Sequence, residues 1–223
     1  MHPLKKVKTF TDRYPLIGPV IWIASIHYFF IQTSVAMAWT TPFSLANNPI
    51  SDLGNTACGI YSERFVCSPQ HNLMNASFIT LGLIMAVGSL LIYQEFKKSP
   101  TSRVGFSFMA VAGAGTLLVG LFPENTVGFL HLLGAALAFL VGNLGIVVLG
   151  AKLDLPKYLR YFTLFSGCLA LVALGLYVLG LNFGIGQGGM ERVTAYPQTI
   201  WLIVFGLYIS RDHIMKRLRK SAA

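Results

Sequence analysis

The sequence predicts an all-α membrane protein, a bundle of six transmembrane helices with both termini in the cytoplasm. Three observations carry that reading. Of the 223 residues, 54% are hydrophobic and only 11% are charged, against about 25% charged in a soluble domain. Six apolar stretches have roughly the 20 residues that cross a hydrocarbon core. The basic residues fall almost entirely in alternate connections between those stretches. With a mean hydropathy of +0.63, these numbers exclude a water-soluble globule, a disordered chain, a coiled coil and collagen.

The spans are placed at 16–39, 72–93, 104–122, 127–150, 158–181 and 193–209, in one domain covering 1–223. The first follows a basic leader and contains Ala36-Met37-Ala38, a small-x-small pattern like a signal cleavage site. Its apolar run exceeds the roughly 7–15 residues of a signal h-region, so it is read as an uncleaved anchor. The connections at 97–103 and 151–157 are short. Pro100 and Pro156 within them are expected to end the preceding helices. Only Pro123-Glu124-Asn125-Thr126 joins spans three and four, which makes them a tight antiparallel hairpin. The glycine-rich run Gly184–Gly189 reads as a flexible external loop, and it follows no strand, so it is no phosphate loop. Segment 40–71 is too long for a bare connector, and such loops carry function.

Charge fixes the expected orientation. Lys5, Lys6, Lys8, Arg13, Lys97, Lys98, Arg103, Lys152, Lys157, Arg160, Arg211, Lys216, Arg217, Arg219 and Lys220 fall on one side, fifteen in all, against Arg64 and Arg192 on the other. The positive-inside rule puts the fifteen in the cytoplasm. The net charge of +9 is then an attraction to anionic membrane lipid, and no nucleic-acid partner is expected. Cys58 and Cys67 share the first external loop, where an oxidising compartment favours a disulfide over two free thiols. Cys168 is read as a small core residue. Trp22, Trp39 and Trp201 read as packing residues or interface anchors, and His27 as hydrogen-bonded to a neighbouring helix rather than to a haem.

Polar residues in the spans cluster near the outer ends. His71, Asn72 and Asn75 continue inward along Gly82, Ala86 and Ser89; His131 lies above Ala135, Ala138, Gly142 and Gly145; and Ala112, Thr116 and Gly120 lead to Glu124. Small stripes permit close helix approach, so these polar groups are expected to face the bundle. Glu191 and Arg192 enter the last span at the same level. In the external loop, Asn48-Pro49-Ile50-Ser51-Asp52-Leu53-Gly54 suits a short re-entrant turn capped by Ser51 or Asp52. A turn folded back on the bundle brings Asp52 to the level of His71, Glu124, His131 and Glu191, and charged groups at membrane depth mark a functional site.

That loop motif, with Phe122-Pro123-Glu124, His131 and Gly189-Met190-Glu191-Arg192, resembles the short signatures of the DUF998 family of six-span membrane proteins. The family's pattern often has an acidic residue slightly later than Glu124, where this chain has Asn125. The Pro-Ile-Ser-Asp core is also similar to the external motif of the Frag1/DRAM membrane family. The resemblance implies architecture and site location, and it supplies no reaction.

The function expected from the residues is an outward-facing polar pocket that binds or modifies a lipid or small amphiphile at the cell membrane. Asp52 is the candidate base or orienting carboxylate, His131 its partner and Glu124 a further catalytic candidate. Arg192 would hold a phosphate or carboxylate, or else pair with Asp52 or Glu124. Asn48, Ser51, His71, Asn72, Asn75 and Glu191 would line the ligand, and Ser51 becomes a nucleophile if His71 or His131 reaches it. Alternatives are a structural or accessory protein without turnover, a small-solute transporter, and a hydrolase whose metal is held by Asp52, His71, Glu124 and His131. Cofactor, metal and oligomeric state are not fixed by the sequence.

Overall fold

In hydrocarbon every backbone N–H and C=O must find its partner inside its own segment, so long apolar stretches become helices. In the computed structural model of the protein, which describes residues 3–96 and 100–221, six helices are long and apolar enough to cross a membrane. They follow a short helix α1 (Pro3–Arg13). The six are α2 (Ile17–Met37, with a 3-10 turn at Ala24–Ile26), α3 (His71–Tyr93), α4 (Pro100–Leu121), α5 (Gly128–Lys152, with a π turn at Leu137–Val141), α6 (Lys157–Val178) and α7 (Gly186–Ser221). Six crossings return both termini to the same end of the bundle.

The boundaries depart from the sequence expectation in three places. Pro100 begins α4 and Pro156 sits immediately before α6, rather than ending the helices before them. A helix start has no N–H to lose there. Helix α7 runs for 36 residues. Its first turn contains Gly186–Gly189, expected to be loop, and its charged end continues past Ile209. That end is helped by an Asp212–Lys216 ion pair of 2.5 Å one turn apart and by a His213–Glu95 contact of 2.9 Å. Cys168, expected in the core, is exposed. Helix α6 buries Thr163, Ser166, Gly167 and Ala170, and Cys168 is turned off that stripe. Lys97 and Lys98 of the basic count lie outside the described residues, as do the side chains of Lys5, Lys6 and Lys220.

Small residues set the helix contacts. Gly82 of α3 and Gly113 of α4 approach so closely that a Cβ on either would lie 2.6 Å from the other's carbonyl oxygen, and Gly115 of α4 and Gly134 of α5 repeat the arrangement at 2.6 Å. Helix α4 is thereby clasped on two sides. Toward the terminal end the gaps are filled by aromatic rings, with Trp22 and Trp201 fully buried and their centroids 5.3 Å apart. His27 contacts Ala24 O at 2.9 Å and reaches across to Ser77 O of α3 at 3.4 Å.

Segment 40–70 closes the opposite end. Ser51–Gly54 forms a 3-10 turn, and Ile50 and Leu53 are sunk into the bundle as a plug. Neither Ser51 nor Asp52 caps the turn. The plug is tied down instead by Asn75, whose amide donates to Gly54 O at 2.9 Å, and by Ser68, whose hydroxyl donates to Leu53 O at 2.7 Å. Next comes a hairpin absent from the sequence reading, β1 (Gly59–Tyr61) against β2 (Arg64–Val66), with Tyr61 opposite Arg64. Ser62 and Glu63 both hold left-handed φ values of 46° and 64°, as a two-residue connection matched to strand twist requires. A Cys58–Cys67 disulfide closes its base.

Candidate functional site

Ser51 and Asp52 are neighbours on a tight turn and therefore face different partners. The Asp52 carboxylate is fully buried and gripped in parallel by Arg64, with Nη2–Oδ1 at 3.0 Å and Nε–Oδ2 at 3.2 Å. The Asn48 amide donates to Oδ2 at 3.0 Å. A forked, charge-assisted pair is the strongest form such a contact takes. Arg64 also donates to Gln187 Oε1 at 2.9 Å, linking the hairpin to the first turn of α7. Arg64 is the site residue that sequence reasoning missed, having been counted only as charge.

Glu124 lies beside this pair. Its backbone carbonyl accepts from the Tyr61 hydroxyl at 3.1 Å, and its Oε1 is buried without a partner among the described residues. Burial first, then the charge of Asp52 and a hydrogen bond to it, push the Glu124 carboxyl up to about 9. At neutral pH it therefore holds a proton that it can share with Asp52. A carboxyl raised from 4.5 to about 9 in the folded state adds stability that is full below pH 4.5 and lost as pH rises through 9. Melting temperature is expected to fall across that window, and Glu124→Gln, which has no proton to lose, is expected to flatten the fall; melting curves from pH 5 to 10 check this.

Ser51 meets His131 and Glu191. Its Oγ is 3.0 Å from His131 Nε2 and 3.2 Å from Glu191 Oε1, while His131 Nδ1 is 3.0 Å from Phe122 O. Glu191 Oε2 accepts the Ile50 N–H. One hydroxyl proton cannot serve both neighbours of Ser51. Below Ser51 and Glu191 a cavity of ≈ 40 Å³ opens between the helices, walled mainly by apolar side chains such as Phe78, Leu81, Met85 and Phe139.

The other candidates divide. Asn48 and Asn75 hold the plug, as described. His71 turns its Nδ1 to Ser68 O at 2.9 Å, within its own helix start, and stays out of the cluster. Asn72 is exposed, so the expectation that it faces the bundle fails: one position from His71 on a helix it turns away from the buried face that carries Met74 and Asn75. Arg192 is buried but pairs with neither Asp52 nor Glu124. Its Nη1 donates to Leu45 O, Asn48 O and Gly188 O at 2.8, 2.8 and 2.9 Å, and its guanidinium lies 5.7 Å from the Phe43 ring centroid. Arg64 occupies the place beside Asp52 instead. Among the described residues no group of three or more His, Cys, Asp or Glu side chains is placed to hold a metal ion.

Residues 22–208 match the family described as "Protein of unknown function (DUF998)". The chain belongs to the DUF998 family. No curated protein and no solved structure matches it. The part of this DUF998 chain that matches runs from Trp22, within α2, to Tyr208, within α7, and takes in α3 to α6, the plug and the hairpin whole. The family description carries no activity, so the chemistry of the site rests on its geometry.

Proposed function

We propose that this DUF998 protein binds an amphiphile at the plugged end of the bundle and acts on its ester bond, with Ser51 as nucleophile and His131 as base. The reading rests on the 3.0 Å contact between Ser51 Oγ and His131 Nε2, with Nδ1 fixed by the Phe122 carbonyl. A histidine that donates from Nδ1 turns its Nε2 lone pair toward the hydroxyl, the arrangement that activates a serine. Ser51 passes its proton to Nε2 as Oγ bonds to the acyl carbon and the carbonyl pair moves onto oxygen. The intermediate collapses, the ester C–O bond breaks, and the departing alcohol takes the proton from Nε2. Water, deprotonated by the same nitrogen, then attacks the acyl-serine; the acid leaves and Ser51 recovers its proton.

Asp52 is not the base in this scheme. Arg64 and Asn48 engage it, and it positions the turn that presents Ser51. The charge distribution supports a cell-membrane protein with cytoplasmic termini and the site outside, and the Cys58–Cys67 disulfide supports an oxidising compartment there.

One observation favours a second reading, a packing network without turnover: the Asp52 carboxylate is saturated, as in networks that only fix a fold. Hydrolysis of p-nitrophenyl octanoate by the full chain in mixed micelles separates the two. Wild type is expected to release p-nitrophenol well above the detergent background. Ser51→Ala is expected to return to background, a loss of about 10³-fold, while still unfolding cooperatively. Equal rates for both proteins would leave the packing network.

A further inference from the structure

At the end of the bundle opposite the plug, α2 and α7 touch and then part. They meet at Gly206, where a Cβ would lie 2.7 Å from Pro19 O. Beyond that contact the chain leaves α2 through Leu16, Pro15 and Tyr14 to join α1, whereas α7 runs on to Ser221. Arg217 stands about three turns past Gly206 on the same stripe of α7, so the stripe that makes the helix contact goes on to face open space. A groove of ≈ 590 Å³ lies there, with Arg13, Tyr14 and Ile17 on one wall and Ile214, Arg217 and Leu218 on the other.

The groove is cationic, and its cations are accessible. Arg13 and Arg217 are both exposed, and neither makes a hydrogen bond or ion pair among the described residues. The Arg13 guanidinium lies 5.5 Å from the Tyr14 ring centroid, a contact that holds its charge at the wall without neutralising it. Among the described residues no Asp or Glu lines the groove. The nearby acids are engaged elsewhere, Glu95 by His213 and Asp212 by Lys216. Between the two arginines the surface is apolar: Tyr14 is 45% exposed, Ile214 48% and Leu218 57%. From Ile17, the first residue of α2, exposed apolar surface continues along the spanning helix to Val20. Charge and surface together match an anion that carries a hydrocarbon tail, at the level where α2 enters the apolar layer and α7 leaves it. We propose that this groove binds the headgroup phosphate of an anionic phospholipid, with Arg13 and Arg217 on the phosphate oxygens from opposite walls and an acyl chain along Ile17 and Val20. A zwitterionic lipid brings its own ammonium to the same two cations and is therefore disfavoured. The groove is at the other end of the bundle from Ser51, so this binding stands apart from the proposed turnover.

Native mass spectrometry of the detergent-purified full chain, titrated with phosphatidylglycerol, phosphatidylcholine or inorganic phosphate, tests this. Wild type is expected to take up one phosphatidylglycerol at concentrations where the other two leave it unchanged. Arg13→Gln/Arg217→Gln is expected to bind phosphatidylglycerol about tenfold more weakly, since both cations facing the phosphate are lost. Arg211→Gln/Arg219→Gln removes the same charge from α7 at positions outside the groove and is expected to bind as wild type does. All four side chains are exposed, so both variants are expected to keep the wild-type melting temperature without lipid. An equal loss in the two variants would reduce the binding to net charge and overturn the site. Equal uptake of phosphatidylcholine, inorganic phosphate binding as tightly as the lipid, or no adduct would each overturn it as well.

Discussion

Arg64→Ala is expected to destabilise the protein by about 3–5 kcal/mol, the cost of leaving a buried charge without its partner. The Asp52 carboxylate is 0% exposed, and without Arg64 it keeps only neutral donors, the Asn48 amide and the Glu124 carboxyl. Both Asp52 oxygens would lose a guanidinium N–H at once. Arg64→Lys is expected to recover only part of the loss, because an ammonium is a point donor and cannot bridge two oxygens in parallel. Asp52→Asn is expected to cost less than Arg64→Ala, since the side chain of Arg64 is 18% exposed and can turn its freed charge to water. Asp52→Asn in the Arg64→Ala background is expected to restore stability, because the uncompensated charge is gone. Denaturation in detergent followed by tryptophan fluorescence measures all four. An Arg64→Ala protein as stable as wild type would mean that the pair does not hold the plug.

His131→Asn is expected to lower ester turnover about as far as Ser51→Ala, by about 10³-fold. The two residues act as a unit in the proposed step, so neither does anything without the other. The double variant is therefore expected to be no slower than either single variant. Additive losses would contradict a shared proton transfer. Stability behaves differently. Ser51→Ala removes contacts to both His131 and Glu191, whereas His131→Asn also empties the contact to Phe122 O. The melting temperatures of the two variants are therefore expected to differ while their rates agree.

The helices were legible because the membrane makes the sequence pattern simple. An apolar run of sufficient length has only one way to satisfy its backbone, and the stripes through Gly82, Gly120 and Gly145 are contact surfaces in the folded protein. The charged end of α7 was not legible as helix, because the hydropathy signal stops where the chain leaves the apolar layer while the backbone pattern continues. Cys168 shows the converse: a small residue in a span is no evidence of burial unless its position on the helical stripe is counted.

The site was partly legible. The loop motif and His131 were read as meeting, and the structure brings Ser51, rather than Asp52, to His131. The difference arises in one 3-10 turn, whose neighbouring residues point apart, and sequence gives no register for so short an element. Arg64 was missed for a related reason. Its partner is set by the hairpin, and the available signal was the symmetric placement of Cys58 and Cys67 around Gly59–Tyr61 and Arg64–Val66. Two cysteines one step outside a strand pair mark its base, which would have put Arg64 opposite Tyr61.

Intact-mass spectrometry after exposure to a lipid-like fluorophosphonate tests the central claim most directly. Such a reagent phosphonylates a serine only when a neighbouring base activates it. Wild type is expected to gain one adduct, mapped by peptide sequencing to Ser51, and His131→Asn is expected to gain none although Ser51 is still present. An unlabelled wild-type protein, or an adduct that survives in His131→Asn, would contradict the assignment of Ser51 and His131 as a reactive pair.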